Sequence, residues 1–155
     1  MKMLDLGVMG VIAPMINTKK ECEDFVSYCN YPPRGLRSFG PMRAQLVYGS
    51  DYHDNANDQI ISLAMIETKE AVENIDEILS VPNLTGVYIG PGDMSSSYGF
   101  KPQFDVKKDP IFSNIKMIVK KATKKGKIAG IHNGTTGYAK EMIELGYKFV
   151  TVSSD

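Results

Sequence analysis

The sequence has no net charge, because eighteen Lys and Arg balance eighteen Asp and Glu. A neutral chain offers no electrostatic footprint for nucleic acid or for an acidic membrane surface. No apolar run approaches the ~18 residues of a membrane-spanning helix. The opening MKMLDLGVMG lacks the charged-then-apolar layout of a secretory signal, so a cytoplasmic location is expected. Cysteine is scarce. Cys22 and Cys29 are seven residues apart and share a helix face with Phe25 and Val26, which suits buried small apolar residues better than a disulfide or a metal pair.

Histidine is equally scarce. His53 and His132 complete neither a Ser/His/Asp arrangement nor a metal-ligand spacing. His132, at the ligand end of its strand, is in place to touch a substrate, although a hydrogen-bonded structural role is the simpler reading. The patterns G-x-S-x-G, G-x-G-x-x-G and H-E-x-x-H are absent, as is a P-loop. Lysine placement excludes a further chemistry. A Schiff-base enzyme needs a desolvated lysine inside its site. Lys127 begins a strand at the wrong end of the sheet, and the other lysines fall on helix faces or loops.

What is present is an ordinary globular profile of 155 residues, 43% hydrophobic and 23% charged, enough for one sizeable core. Met1–Leu6 reads as the last turn of a helix stopped by Gly7. Val8–Ala13 is a continuous apolar strand. Thr18 and Glu21 form a capping box, and Cys22, Phe25, Val26 and Cys29 predict a helix over 18–29. Leu36–Asn57 has no periodicity and is expected to be a long functional loop holding Arg37 and Arg43. Ile60–Ile66 is a strand, Thr68 caps a helix, and Gly86–Gly90 is a short buried strand. Gly92–Val106 reads as a Gly/Ser-rich loop, Pro110–Lys125 as an amphipathic helix, and Lys127–Ile131 as a strand. Thr135 or Thr136 caps a helix closed by Gly146, and Phe149–Ser153 is the last strand.

Alternating β and α elements with short connections predict an α/β protein with a parallel sheet. Two architectures satisfy the pattern: an open doubly wound sheet, and part of an eight-stranded (β/α)₈ barrel, which as a whole needs about 250 residues. Five strands that begin after a helix end and finish on a strand favour the back half of a barrel, with Met1 an internal methionine. Residues 1–155 are expected to form one partial domain.

The two runs IISLAMIET and LTGVYIGPGD each end on a carboxylate, Glu67 and Asp93, where a strand hands over to a loop. In a parallel sheet those positions share the end at which ligands bind. Two converging carboxylates suit a hard divalent cation. The pattern alone also fits two exposed loop acids, or Asp93 as a helix cap, and by itself favours these simpler roles. Gly90-Pro91-Gly92 before Asp93 lets a ligand approach the backbone, so the amides of Gly92 and Asp93 are candidates for holding a carboxylate. Among the basic residues Arg34, Arg37 and Arg43, a guanidinium near that site could clamp an acidic substrate.

These motifs (LDLGVMGVIAPMINT, YPPRGLRSFGP, AMIET, VPNLTGVYIGPGDMSSSYG, KGKIAGIH and ELGYKFVTVSSD) occur together and in order. Through them the chain resembles the HpcH/HpaI family of class II, metal-dependent pyruvate aldolases. That family includes 2,4-dihydroxyhept-2-ene-1,7-dioate aldolase and 2-dehydro-3-deoxyglucarate aldolase. The resemblance implies a TIM (β/α)₈ barrel of which this chain is a truncated portion, about strands four to eight. It implies a lyase cleaving a 2-keto-4-hydroxy acid, of the kind met in aromatic or sugar-acid catabolism. The products would be an aldehyde and pyruvate, or a hydroxypyruvate- or tartronate-semialdehyde-like acid. A divalent metal (Mg²⁺, Mn²⁺ or Co²⁺) would be held by Glu67 and Asp93, with the pyruvate carboxylate on the amides of Gly92 and Asp93.

By the same resemblance, Met65 stands where some members carry a substrate-contacting glutamine. Asp5 matches the aspartate that orients the catalytic histidine and raises its basicity. That histidine and the transition-state arginine belong to strands before the position of Met1, so the chain alone is expected to be inactive. The small-molecule 2-keto acid is the expected partner, in a homo-oligomer, with no nucleic acid and no membrane. Two other readings stay open: an inactive metal- or 2-oxoacid-binding fragment that assembles with a separate N-terminal half, and a citrate-lyase β-like C–C lyase. No feature specific to coenzyme A is evident for the latter.

Overall fold

A computed structural model describes residues 1–153, so the last two residues of the ELGYKFVTVSSD motif lie outside the described residues. The chain runs α1 (Lys2–Asp5), β1 (Gly10–Ala13), α2 (Lys19–Cys29), α3 (Met42–Tyr48), α4 (Tyr52–Gln59) and β2 (Ile61–Ile66). It continues through α5 (Lys69–Glu73), α6 (Ile75–Ile78), β3 (Gly86–Ile89), α7 (Pro91–Ser97), α8 (Ile111–Lys124), β4 (Ile128–Asn133), α9 (Thr136–Glu144) and β5 (Phe149–Val152).

Local sequence explains most of these boundaries. The Thr18 hydroxyl accepts from the Glu21 amide at 3.2 Å while the Glu21 carboxylate accepts from the Thr18 amide at 2.9 Å, closing the capping box of α2. Thr68 and Thr135 cap α5 and α9 with the hydroxyl alone, accepting from the amides of Ala71 and Tyr138. Each such cap stabilises its helix by about 1 kcal/mol.

Sheet order decides between the two architectures. All five strands are parallel and paired in sequence order, β1-β2-β3-β4-β5. A doubly wound sheet reverses its order at a switch point, and this one does not. Same-handed crossovers then put the helices on one face. Ala64, Ile66, Val87, Ile89, Ala129 and Ile131 point to that face and form the main core with Cys22, Val26, Ile75, Ile78, Ile115, Ile118 and Met142. The alternate residues point the other way. Gly10, Ile12, Ile61, Leu63, Ile128 and Phe149 line one apolar cavity of about 320 Å³ reached by both the first and the last strand, so the sheet is curled into a half-barrel.

Two expected loops contain helices. Within Leu36–Asn57 lie α3 and most of α4. Ala44, Tyr52 and Ala56 pack with Tyr31 into a second small core, and the Tyr48 hydroxyl donates to the Gly7 carbonyl at 2.7 Å. The spacing Ala44, Tyr48, Tyr52, Ala56, each four apart, was the available signal, masked by Gly49 between the two helices. Within Gly92–Val106, α7 begins at Pro91, which suits a first helical position because it has no N–H to leave unpaired. Met94 is fully buried, and Ser95 and Ser96 bond back to the carbonyls of Pro91 and Gly92 at 2.7 and 3.1 Å.

Candidate active site

Glu67 follows the last residue of β2, and β1 ends beside it. The turn after β1 places Met15 in the left-handed region, φ 57°, and aims its amide at Glu67 Oε1 over 2.7 Å. Left-handed backbone is costly for a side chain such as methionine. Here it supplies the hydrogen bond that a buried carboxylate needs, since Glu67 is only 3% exposed. On the other side Gly90 closes over the same group. A Cβ at position 90 would lie 2.5 Å from Glu67 Oε2, so only glycine allows this approach.

Asp93 lies in the first turn of α7, two residues beyond Pro91, and caps no helix end with its side chain. The amides of Gly92 and Asp93 have no backbone partner among the described residues, as expected in the first turn of a helix. Glu67, Met65, Gly92 and Asp93 line one pocket of about 360 Å³ together with Ile12, Tyr88, Gly90, Pro91, Phe104 and His132. Burial raises the Glu67 carboxyl above its ordinary range. The Met15 amide opposes this and the nearby charge of Asp93 adds to it. A buried carboxylate facing a second carboxylate is the electrostatic arrangement that a cation relieves. Among the described residues no group of three or more His, Cys, Asp or Glu could hold a metal. A cation here would take two protein carboxylates and draw its other oxygens from water and substrate.

The other expected site residues fall elsewhere. Residues 30–60 connect the end of α2 to the start of β2, which puts them at the end of the sheet where the strands begin, opposite Glu67. There Arg37 is fully covered. Its Nη2 donates to Asp5 Oδ1 at 2.9 Å, its Nη1 to the Tyr52 hydroxyl at 3.1 Å, and its guanidinium lies 4.4 Å over the Tyr31 ring. A substrate clamp needs an accessible guanidinium, so within this chain Arg37 is a structural ion-pair partner and not a steering residue. Asp5, whose resemblance-based role is to orient a histidine outside this chain, pairs with Arg37 through Oδ1. Arg43 is exposed on α3, at the same end. His53 packs between Tyr31 and Phe39, with ring centroids 4.7 and 5.2 Å away.

Sequence reasoning missed Met15, whose contribution comes from its backbone. It also gave no part in the pocket to Tyr88 and Phe104. Alternation along β3 was the available signal for Tyr88, since Val87 and Ile89 point to the helices. Cys22 and Cys29 are buried free thiols, as expected from their spacing.

Comparisons with known proteins bear on the same residues. The model of the HpcH/HpaI aldolase/citrate lyase family matches residues 1–155. A hydroxypyruvate/pyruvate aldolase from Rhizorhabdus wittichii is 46% identical over 155 residues, covering 100% of this chain and 62% of the relative. A 4-hydroxy-2-oxo-heptane-1,7-dioate aldolase from Escherichia coli is 34% identical over 159 residues, covering 99% of this chain and 59% of the relative. The chain therefore spans about 60% of the length of these curated relatives. The crystal structure of an HpcH/HpaI aldolase/citrate lyase family protein from Burkholderia cenocepacia superposes with a TM-score of 0.88 at 26% identity, over 98% of this chain and 61% of that one. With the family model spanning every residue, and with the carboxylates of its AMIET and GPGD segments meeting in one pocket, this chain belongs to the HpcH/HpaI aldolase/citrate lyase family.

Proposed function

We propose that the chain is the metal- and 2-oxo-acid-binding part of a class II aldolase, a single partial domain corresponding to about strands four to eight of a (β/α)₈ barrel. The complete protein would be a lyase that cleaves a 4-hydroxy-2-oxo acid to an aldehyde and pyruvate, or to a hydroxypyruvate-like acid. One observation carries the reading: Glu67 is buried beside a second carboxylate, Asp93, in a pocket where the amides of Gly92 and Asp93 have no backbone partner. One relative is named a hydroxypyruvate/pyruvate aldolase and another a 4-hydroxy-2-oxo-heptane-1,7-dioate aldolase, which supports this reading. The curled sheet, with an apolar concave face between its first and last strands, fits part of a barrel.

Glu67 and Asp93 would hold a divalent cation, Mg²⁺, Mn²⁺ or Co²⁺. When bound, such an ion acts as a Lewis acid that draws electron density from the C2 carbonyl. The chain's own residues orient the substrate. The amides of Gly92 and Asp93 donate to its carboxylate and fix which way C3 points. Met15 keeps one Glu67 oxygen engaged, so that Oε2 is the oxygen left for the cation. Ile12, Met65 and Phe104 supply the apolar part of the pocket wall. Cleavage breaks C3–C4 as a base outside this chain takes the C4 hydroxyl proton, leaving the aldehyde. The electron pair forms the enolate of the 2-oxo acid, which takes a proton back at C3 to give pyruvate or its hydroxy analogue.

Thermal unfolding of the full-length protein tests the binding, with and without Mn²⁺ plus pyruvate, beside Glu67→Gln. A ligand that binds only the folded state raises the melting temperature. A rise in the parent that is absent in the variant supports the reading, and an equal response in both overturns it. Binding without turnover of any 4-hydroxy-2-oxo acid would identify an inactive 2-oxo-acid-binding module.

A further inference from the structure

Three polar side chains face the pocket side of the sheet from three adjacent strands: Tyr88 on β3, His132 on β4 and Thr151 on β5. In register, Tyr88 lies opposite Gly130, and His132 opposite Thr151. A Cβ at Gly130 would come 2.7 Å from Tyr88 Cδ2, so the bare glycine lets the phenol ring lie across β4. The Tyr88 hydroxyl thereby skips a strand and hydrogen-bonds Thr151 Oγ1. His132 Nδ1 lies 3.0 Å from that same oxygen. The edge of Phe104 steadies the imidazole, with centroids 4.9 Å apart and planes at 79°.

The direction of the hydrogen bonds follows from a proton count. Burial holds the Tyr88 phenol above its usual range, although the Thr151 bond opposes this, so the phenol keeps its proton. Its only hydrogen-bond partner among the described residues is Thr151, and either hydroxyl can donate; with Tyr88 as the donor, Thr151 Oγ1 accepts. The threonine hydroxyl has one proton, and the acceptor left for it is His132 Nδ1. A neutral imidazole that accepts at Nδ1 carries its proton on Nε2. That nitrogen has no partner among the described residues, and His132 lines the pocket that holds Glu67 and Asp93.

Resting on the aldolase reading above, we infer that His132 is a specificity-determining hydrogen-bond donor whose Nε2–H receives the C3 hydroxyl of a 3-hydroxy-2-oxo acid, with Tyr88 and Thr151 as positioning residues. The C1 carboxylate and C2 carbonyl are directed at Asp93, Gly92 and Glu67, so C3 is the first carbon free to reach across to β4. The other walls near it, Ile12, Met65 and Phe104, are apolar and suffice for a bare methyl group. A donor whose direction is fixed by its neighbours favours the acid that carries the hydroxyl over the acid that lacks it.

The test uses the full-length protein loaded with Mn²⁺ and compares hydroxypyruvate with pyruvate as aldol donors toward one aldehyde. The parent is expected to favour hydroxypyruvate in kcat/KM by about tenfold, the scale of one net hydrogen bond. His132→Leu should abolish that preference. Thr151→Val and Tyr88→Phe should lower it part way, chiefly through the KM for hydroxypyruvate. ¹⁵N-histidine spectra of the parent, with the His132 signal identified by its loss in His132→Leu, assign the tautomer. A protonated Nε2 and a bare Nδ1 on His132 are expected, giving way to a tautomer mixture in Thr151→Val. An unchanged donor ratio in His132→Leu, or a proton on Nδ1 in the parent, overturns this inference and leaves the aldolase reading intact. A parent that binds neither acid with Mn²⁺ overturns both.

Discussion

The amide of Met15 donates to Glu67 Oε1 at 2.7 Å across 52 residues of sequence, and this bond joins the end of β1 to the end of β2 at the floor of the pocket. It leaves Glu67 ionisable but not comfortably so. The folded-state carboxyl is raised above its ordinary value by burial and by Asp93, despite the Met15 amide. Between the unfolded value and that raised value the native state binds more protons than the unfolded state, so stability falls as pH rises through this window. In metal-free protein the urea midpoint should therefore drop as pH rises from the ordinary glutamate range. Glu67→Gln should flatten the drop. Saturating Mn²⁺ should reverse its sign, because the cation binds the ionised form.

Gly90 touches the same carboxylate from the opposite side. Gly90→Ala places a methyl group 2.5 Å from Glu67 Oε2 and 3.1 Å from Glu67 Cβ. The carboxylate must swing away, and Mn²⁺ affinity measured by calorimetry should fall by about 10- to 100-fold, the usual cost of misplacing a metal ligand through its neighbour. Gly99, with nothing within 4 Å of a built Cβ but φ at +80°, is the control. Gly99→Ala should lower the melting temperature through backbone strain while leaving Mn²⁺ affinity alone.

Arg37 is expected to matter for stability and not for catalysis. Its guanidinium is covered, paired with Asp5 and sandwiched near Tyr31 and Tyr52. Removing one partner of a buried ion pair leaves the other uncompensated and costs about 3–5 kcal/mol. Asp5 remains 29% exposed, which places Arg37→Met toward the lower end of that range, about 3 kcal/mol. Urea unfolding should show this loss. A steering residue would instead raise KM for the acidic substrate with little change in the unfolding midpoint.

The two cysteines should be inert in the native state. Burial pushes the Cys22 thiol up to about 12 and also raises Cys29, which disfavours the reactive thiolate at both. A thiol reagent should label neither residue in native protein and both in urea, with native labelling no faster than unfolding. Rapid labelling of either would contradict the packing of α2 against the sheet.

How much of this was legible in the sequence follows from the range of each interaction. The helices over 19–29, 111–124 and 136–144 were readable because caps and apolar spacing act within one or two turns. The strands were readable as apolar runs, to within one or two residues. By contrast, α3, α4 and α7 read as loops. Each is short and weakly amphipathic, and is held by contacts with distant chain, such as Tyr48 with Gly7 and Ser97 with the Lys69 amide. Glu67 and Asp93 were legible as candidates because a carboxylate at the end of an apolar strand is a local pattern. The placement of Arg37 was not, because its partner Asp5 lies 32 residues away.

The sequence by itself determined the alternation of strands and helices, the caps that start the helices, and the two carboxylates that close β2 and follow β3. These depend on neighbours a few residues apart, where chain connectivity already sets the geometry. Only the tertiary structure decided the rest: that the strands pair in sequence order and curl, that Asp5 and Arg37 meet at the opposite end from Glu67, and that Tyr88 crosses Gly130 to reach Thr151 and His132. Those outcomes depend on register between strands and on which side chains are absent from the path between them. Both are set by packing the whole core at once, and no local spacing encodes them.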